Sequence, residues 1–310
     1  MRAFKPRRRD PHRDGFILVA VLWILGALAT LAVIYSLYLN QAAVAFVDHN
    51  ERLQAQALAV AGVELAVYRL TAIPDRRPVQ GQFSFREGSA VVAVEFSCEN
   101  GRIDLNFAPR EVIAGLFLGL GAPRQSALEF ADRIVGWRTP LTTGGGAIAG
   151  AGGAGGAADS EAGIYQGAGK AYGPRHGPFQ HVNELGLLVG LPPWLVDRAL
   201  PYLTVYSGRS EINVLSAAPE VLSALPGLTP ALLQQLLAER GGAPQDVLRA
   251  QLGIAANYVS LQPGATNRVT VDVQFPSSRR IRSQAVVLVL DKDTQPYRVL
   301  SWRDEELSVR

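Results

Sequence analysis

Along the first seventy residues the polar positions disappear and then return. From Phe16 to Leu39 the chain runs for 24 residues without a charge, and Thr30 and Ser36 are its only markedly polar side chains. Apolar residues on every side are the pattern of a helix surrounded by lipid, and about 1.5 Å of rise per residue carries this run across a hydrocarbon core of roughly 30 Å. From Asn40 to Leu70 helical spacing continues, with no Pro and one Gly, Gly62. Leu58, Ala61, Leu65 and Val67 fall on one stripe beside Asp48, Glu51, Arg52 and Arg69. The prediction is one helix from about Phe16 to Thr71, roughly 85 Å long, half in lipid and half packed on a globular head.

After Pro74 the period becomes two. Gln82 to Arg86 and Ala90 to Phe96 alternate around Glu87-Gly88-Ser89, and Glu99-Asn100-Gly101 is expected to turn the chain into a third strand, Arg102 to Leu105, completing a small antiparallel meander. Strand patterns return only at Arg268 to Phe275, Arg282 to Leu290 and Tyr297 to Trp302, with about 160 residues of helical character between. The economical arrangement is an α+β fold: a long N-terminal helix on a small antiparallel sheet whose strands come from both ends of the head, with a large helical insertion between them.

That insertion contains a repeat. Ile103 to Ile113 aligns without gaps to Ile212 to Leu222, with Glu111 matching Glu220, and each copy reads as a short extended stretch followed by a helix. Pro219 suits a first helical turn and Glu suits the positive end of the helix dipole. Leu225 to Pro230 and Gly190-Leu191-Pro192-Pro193 join helical runs in helix-hairpin-helix fashion. Hairpins of this kind can hold nucleic-acid phosphates, but neither tip carries a basic residue. Packing is therefore the expected role, and no nucleic-acid partner is expected.

Charge sharpens the picture at the N-terminus. Met1 to Gly15 holds six Arg or Lys against two Asp, a net +4, and leaves 24 basic and 25 acidic residues, −1, for the rest of the chain. A basic cluster before the apolar run, with none after it, orients the N-terminus to the cytoplasm and exports the head. The run is too long for a cleaved secretory signal, and no small-residue site ends it. The lone Cys98 excludes an internal disulfide framework, and the scattered His12, His49, His176 and His181 make no zinc pattern. No GxGxxG follows a strand, and GxxxxGK[ST] and GxSxG do not occur, so the reading is of a non-enzyme.

Gly15-Phe16, at the border between charge and grease, resembles the processing site of type IV prepilins and pseudopilins. With it go AVLWIL in the membrane run and the two starts of the repeat, and in order IVGWR (Ile134–Arg138), YGPRHGPF (Tyr172–Phe179) and PYLTVYSG (Pro201–Gly208). Together these resemble the type II secretion minor pseudopilin K family. The resemblance implies a single-pass inner-membrane protein with a periplasmic head. It implies cleavage between Gly15 and Phe16 by a prepilin peptidase, N-methylation of Phe16, and a place at the tip of a short fibre with minor pseudopilins I and J above the inner-membrane secretion platform. Other pilin-like subunits carry Glu at the fifth position after the cut; Ala20 stands there instead, which fits K-type subunits, since a carboxylate in lipid is costly without a partner.

The resemblance divides the chain into a leader (1–15), a transmembrane part (16–39), a periplasmic helix with the first strands (40–105), the insertion (106–267, with a flexible Gly/Ala loop at 139–171) and the C-terminal strands (268–310). Some family members bind calcium after a Trp-Arg motif. Here Thr139-Pro140 and a tract of eight Gly and six Ala, Gly144 to Ala158, follow instead. Asp159 and Glu161 are the weak metal candidates left nearby, against the six to eight oxygens calcium takes, so no cofactor is required by this reading. Trp137, Trp194 and Trp302 read as core aromatics, His176 and His181 as loop and helix-start residues, and Cys98 as a small apolar residue at a strand end. Two rival readings remain open: a DNA-uptake pseudopilin or hairpin-based DNA receptor, and a signal-anchored periplasmic protein that keeps its leader.

Overall fold

A computed structural model describes residues 11–72, 77–140, 162–277, 279–290 and 294–307. The chain divides into two units, Met1–Ala57 and Leu58–Arg310. The described part of the first is the beginning of helix α1 (Pro11–Thr71), which starts five residues earlier than the apolar run. Pro11 suits such a start, because its fixed φ and missing N–H cost nothing in a first turn. Between residues 18 and 39 the large apolar side chains are all exposed, from Leu18 and Trp23 to Tyr38.

In the second unit, residues 58–71 of α1 lie on a five-stranded antiparallel sheet. Its strands are β1 (Gln80–Glu87), β2 (Ala90–Cys98), β7 (Thr266–Gln274), β8 (Arg280–Val289) and β9 (Tyr297–Leu307), in the order β1-β2-β7-β8-β9. Both ends of the head thus contribute to one sheet, with β2 paired to β7 across the insertion. Ala59, Val63, Ala66, Val67 and Leu70 bury one face of the helix, while Leu65, expected on that face, is exposed. A Cβ at Gly62 would stand 2.9 Å from Val271 and 3.1 Å from Val94, a cross-strand pair, so only glycine lets the helix come this close.

The third meander strand is a correction. Glu99 to Gly101 forms a 3-10 turn, and β3 (Ile103–Asp104) pairs in parallel with β4 (Leu203–Thr204), away from the large sheet. Both its residues are buried, so the alternation that defines a half-exposed strand is absent there. The second copy of the repeat does the same: β5 (Ile212–Asn213) pairs in parallel with β6 (Val259–Ser260).

Helices α2 (Arg110–Gly119), α3 (Arg124–Arg138), α4 (Pro193–Ala199), α5 (Pro219–Ser223), α6 (Pro230–Glu239) and α7 (Gln245–Gln251) share one apolar core with these bridges. Gly190 and Gly227 precede α4 and α6 with φ of +82° and +81°, the left-handed region that glycine enters without a Cβ penalty. The loop drawn over 139–171 is shorter in its described part, since 162–167 is helical and Tyr165 is buried. Its ring lies 6.2 Å from Trp137 and 6.0 Å from Tyr172, an aromatic anchor that outweighs the surrounding glycines. Residues 141–161, with Asp159 and Glu161, lie outside the described residues.

Helix and sheet are also joined at the β9 edge, where the Tyr297 hydroxyl donates to Glu64 Oε1 at 2.6 Å. Burial, and then the neighbouring carboxylate, push the phenol up to about 12. A group whose folded value is raised stabilises the fold fully below its unfolded value, about 10, and that contribution is lost as pH climbs through about 12. Denaturant midpoints are expected to fall across that window, and Tyr297→Phe should flatten the fall.

Candidate functional site

The first candidate surface is the N-terminal helix. No Asp, Glu, Lys or Arg stands between Asp14 and Asp48, and the stretch beginning at Leu18 has a mean hydropathy of 2.5, long and apolar enough to cross a membrane by length and composition. Gly15 and Phe16 lie within α1, so the proposed cut falls in helical backbone. Ala20 lies one turn beyond, among exposed apolar residues, at a position where a carboxylate would have no charged neighbour in its own segment.

The second is the junction on which the sequence motifs converge. Asp104 Oδ1 accepts the backbone N–H of Asn106 at 2.9 Å, while Oδ2 accepts the Ser207 hydroxyl at 2.8 Å and the Gly208 N–H at 3.0 Å. Burial raises the Asp104 carboxyl, and these hydrogen bonds oppose the rise. Asn106 and Phe179 exchange two further bonds, Nδ2 to carbonyl at 3.0 Å and N–H to Oδ1 at 2.7 Å. Arg138 ends α3 by donating to the carbonyls of Leu105 at 2.7 Å and Ala108 at 2.8 Å. Burial lowers its guanidinium, and the Asp104 charge opposes that. IVGWR, YGPRHGPF and PYLTVYSG therefore supply parts of one interlock around β3.

The repeat builds a second interlock with the same logic. Asn213 takes the place of Asp104, accepting the N–H of Leu215 at 2.9 Å and donating to the Gln262 carbonyl at 2.9 Å. Arg240, after α6, donates to the carbonyl of Ala217 at 2.7 Å, as Arg138 does to Ala108. Sequence reasoning named Arg138 only as the end of IVGWR and missed the bonding role of both arginines. The ungapped alignment ends before them, and the second copy reaches its arginine seven residues sooner; carrying the repeat onward with a gap would have paired them.

The insertion is tied to the sheet through charge. Glu99, fully buried, accepts Arg268 Nε at 2.9 Å, Arg268 Nη2 and the Thr204 hydroxyl at 2.5 Å, which joins the 3-10 turn after β2 to β7 and β4. Cys98, at the end of β2, is buried with its sulfur 3.1 Å from the Ser216 hydroxyl, and burial pushes its thiol up. Trp137 lies in the core as expected. Trp194 and Trp302 do not: 49% and 37% exposed, they lean on Arg198 and Asp304 respectively. His181 caps a 3-10 turn, and His176 sits in a loop at φ +53°.

Among the described residues no group of three His, Cys, Asp or Glu side chains is placed to hold a metal ion. The donors of the interlocks are spent on one another and on backbone, an arrangement that fixes shape.

Residues 100–208 match the family model described as "Type II secretion system (T2SS), protein K". The fold is similar to a chain in the structure described as "The Crystal Structure of the GspK-GspI-GspJ complex from enterotoxigenic Escherichia coli Type 2 Secretion System". The TM-score is 0.58, at 16% identity, over 84% of this chain and 99% of that one. No curated protein matches the chain.

Proposed function

We propose that this chain, whose residues 100–208 match the protein K model of the type II secretion system, is a member of that family and a non-enzymatic minor pseudopilin that caps the tip of the secretion fibre and helps to start its assembly. The observation that carries this is the protein K domain at 100–208 in a chain whose N-terminal helix is uncharged and apolar. The subunit is stored in the inner membrane, N-terminus in the cytoplasm and head in the periplasm. A prepilin peptidase cuts between Gly15 and Phe16, and Phe16 is methylated. Before the cut, six basic residues would have to cross hydrocarbon, at about 2.5 to 3.5 kcal/mol each near its centre; afterwards that barrier to leaving the bilayer is gone. Ala20 suits a tip subunit, which has no neighbour's terminal ammonium to neutralise.

The partners are minor pseudopilins I and J and the inner-membrane platform, a reading supported by the described complex to which the fold is similar. The helix-hairpin-helix units of the insertion act as packing elements, in keeping with tips that lack basic residues, and calcium is not required. Coexpression of the full chain with minor pseudopilins I and J in detergent is expected to give one co-eluting complex on size exclusion, and no salt-dependent shift of duplex DNA. A chain that elutes alone beside an intact I–J pair would contradict the proposal.

A further inference from the structure

Where the insertion meets the outer face of the sheet, a hollow of about 330 Å³ opens between the turn carrying His181, the β4 region and strands β7 to β9. Three guanidinium groups line it, from Arg102, Arg268 and Arg303, and among the described residues no carboxylate does. Arg268 has three of its five N–H donors engaged: Nε and Nη2 go to Glu99 and Nη1 to Gln284 Oε1 at 2.6 Å. That leaves the Gln284 amide nitrogen as a donor. Arg102 gives Nη1 to the Pro201 carbonyl. Burial, and then repulsion from Arg268, lower its guanidinium.

His181 supplies the decisive geometry. Its Nδ1 accepts the Asn183 N–H at 3.1 Å, so in the neutral ring the hydrogen sits on Nε2. Nε2 lies 3.4 Å from Arg303 Nη2, itself a donor, and two donors side by side have no hydrogen bond to make with each other. Both are solvent-accessible, so their N–H groups are open to an acceptor that enters from solvent. Among the described residues no ion pair neutralises Arg102 or Arg303. Counting Glu99 behind Arg268, the wall of the hollow keeps a charge of about +2, in a chain whose residues 16–310 sum to −1.

We infer that this hollow is an oxyanion-binding site, with Arg303 and His181 Nε2 as the paired donors and Arg102 and Gln284 behind them. Guanidinium forks and an imidazole N–H match a carboxylate or a phosphate, and the size admits a small anion or one inserted acidic side chain. The site is independent of the anchor and of the cleavage proposed above.

The full chain in detergent and Tris buffer, titrated calorimetrically at constant ionic strength with citrate, inorganic phosphate and a tetraglutamate peptide, tests this. At least one probe is expected to bind at a single site with a Kd below about 1 mM. Arg303→Gln, on an exposed side chain, should weaken it about fivefold or more at an unchanged melting temperature, Arg303→Lys should weaken it less, and Arg86→Gln, on β1, should not change it. Preference for the peptide identifies an acidic segment of a protein as the natural occupant; preference for citrate or phosphate identifies a free anion. Absence of saturable binding by all three up to about 10 mM, or equal affinity in wild type and Arg303→Gln, would overturn the inference.

Discussion

Arg268→Ala is expected to destabilise the head by about 3 to 5 kcal/mol, because it leaves Glu99 as an uncompensated charge in the interior. Glu99 is fully buried and, among the described residues, its charged hydrogen-bond partner is Arg268; the third bond comes from the neutral Thr204 hydroxyl. The carboxylate cannot reach water without opening the contact between the 3-10 turn, β4 and β7. Glu99→Gln should cost less, since Arg268 is 16% exposed along its side chain and keeps the Gln284 bond. A double variant, Glu99→Gln with Arg268→Ala, should be less damaging than Arg268→Ala alone. That non-additivity in melting temperature separates a charge penalty from lost packing.

Trp137→Ala is expected to cost a similar amount, about 3 to 5 kcal/mol, for a different reason. The indole is 3% exposed and stacks on Phe179 at 5.9 Å and 26°, with Tyr165 on another side. Truncation leaves a cavity at the point where α3, the helical stretch at 162–167 and the segment carrying Phe179 meet. Trp137→Phe should recover most of the loss. Among the described residues the buried indole Nε1 has no hydrogen-bond partner, so losing it removes an unmet donor as well as ring area. Near-UV circular dichroism and thermal melts of the two variants distinguish a cavity from general unfolding.

Much of this architecture was legible in the chain itself. A charge-free run beside a basic leader has few physical readings, and the switch to period two at both ends of a helical stretch implied one sheet assembled across an insertion. The repeat was visible because Asp104 and Asn213 do the same job, holding a turn through side-chain oxygens. Other features left no such trace. Two-residue parallel bridges such as β3 with β4 have no periodicity to detect, and the partner of β3 lies about a hundred residues away. The ties from Arg138 and Arg240 to carbonyls, and from Arg268 to Glu99, depend on distant backbone positions that composition does not encode. Trp194 and Trp302 follow apolar patterns yet face outward, as Leu65 does, because pattern gives the spacing of a face and not what covers it. The helical turn at 162–167 is held by Tyr165, one aromatic residue in glycine-rich surroundings.

The claim that organises the functional reading is that the cationic leader is removed to release an apolar helix into assembly. Intact-mass analysis of the chain purified from cells expressing a prepilin peptidase tests it most directly. The expected product begins at Phe16 and carries one added methyl group, while Gly15→Asp yields the uncut chain. A wild-type chain still starting at Met1, in cells where a control prepilin is processed, would contradict the account.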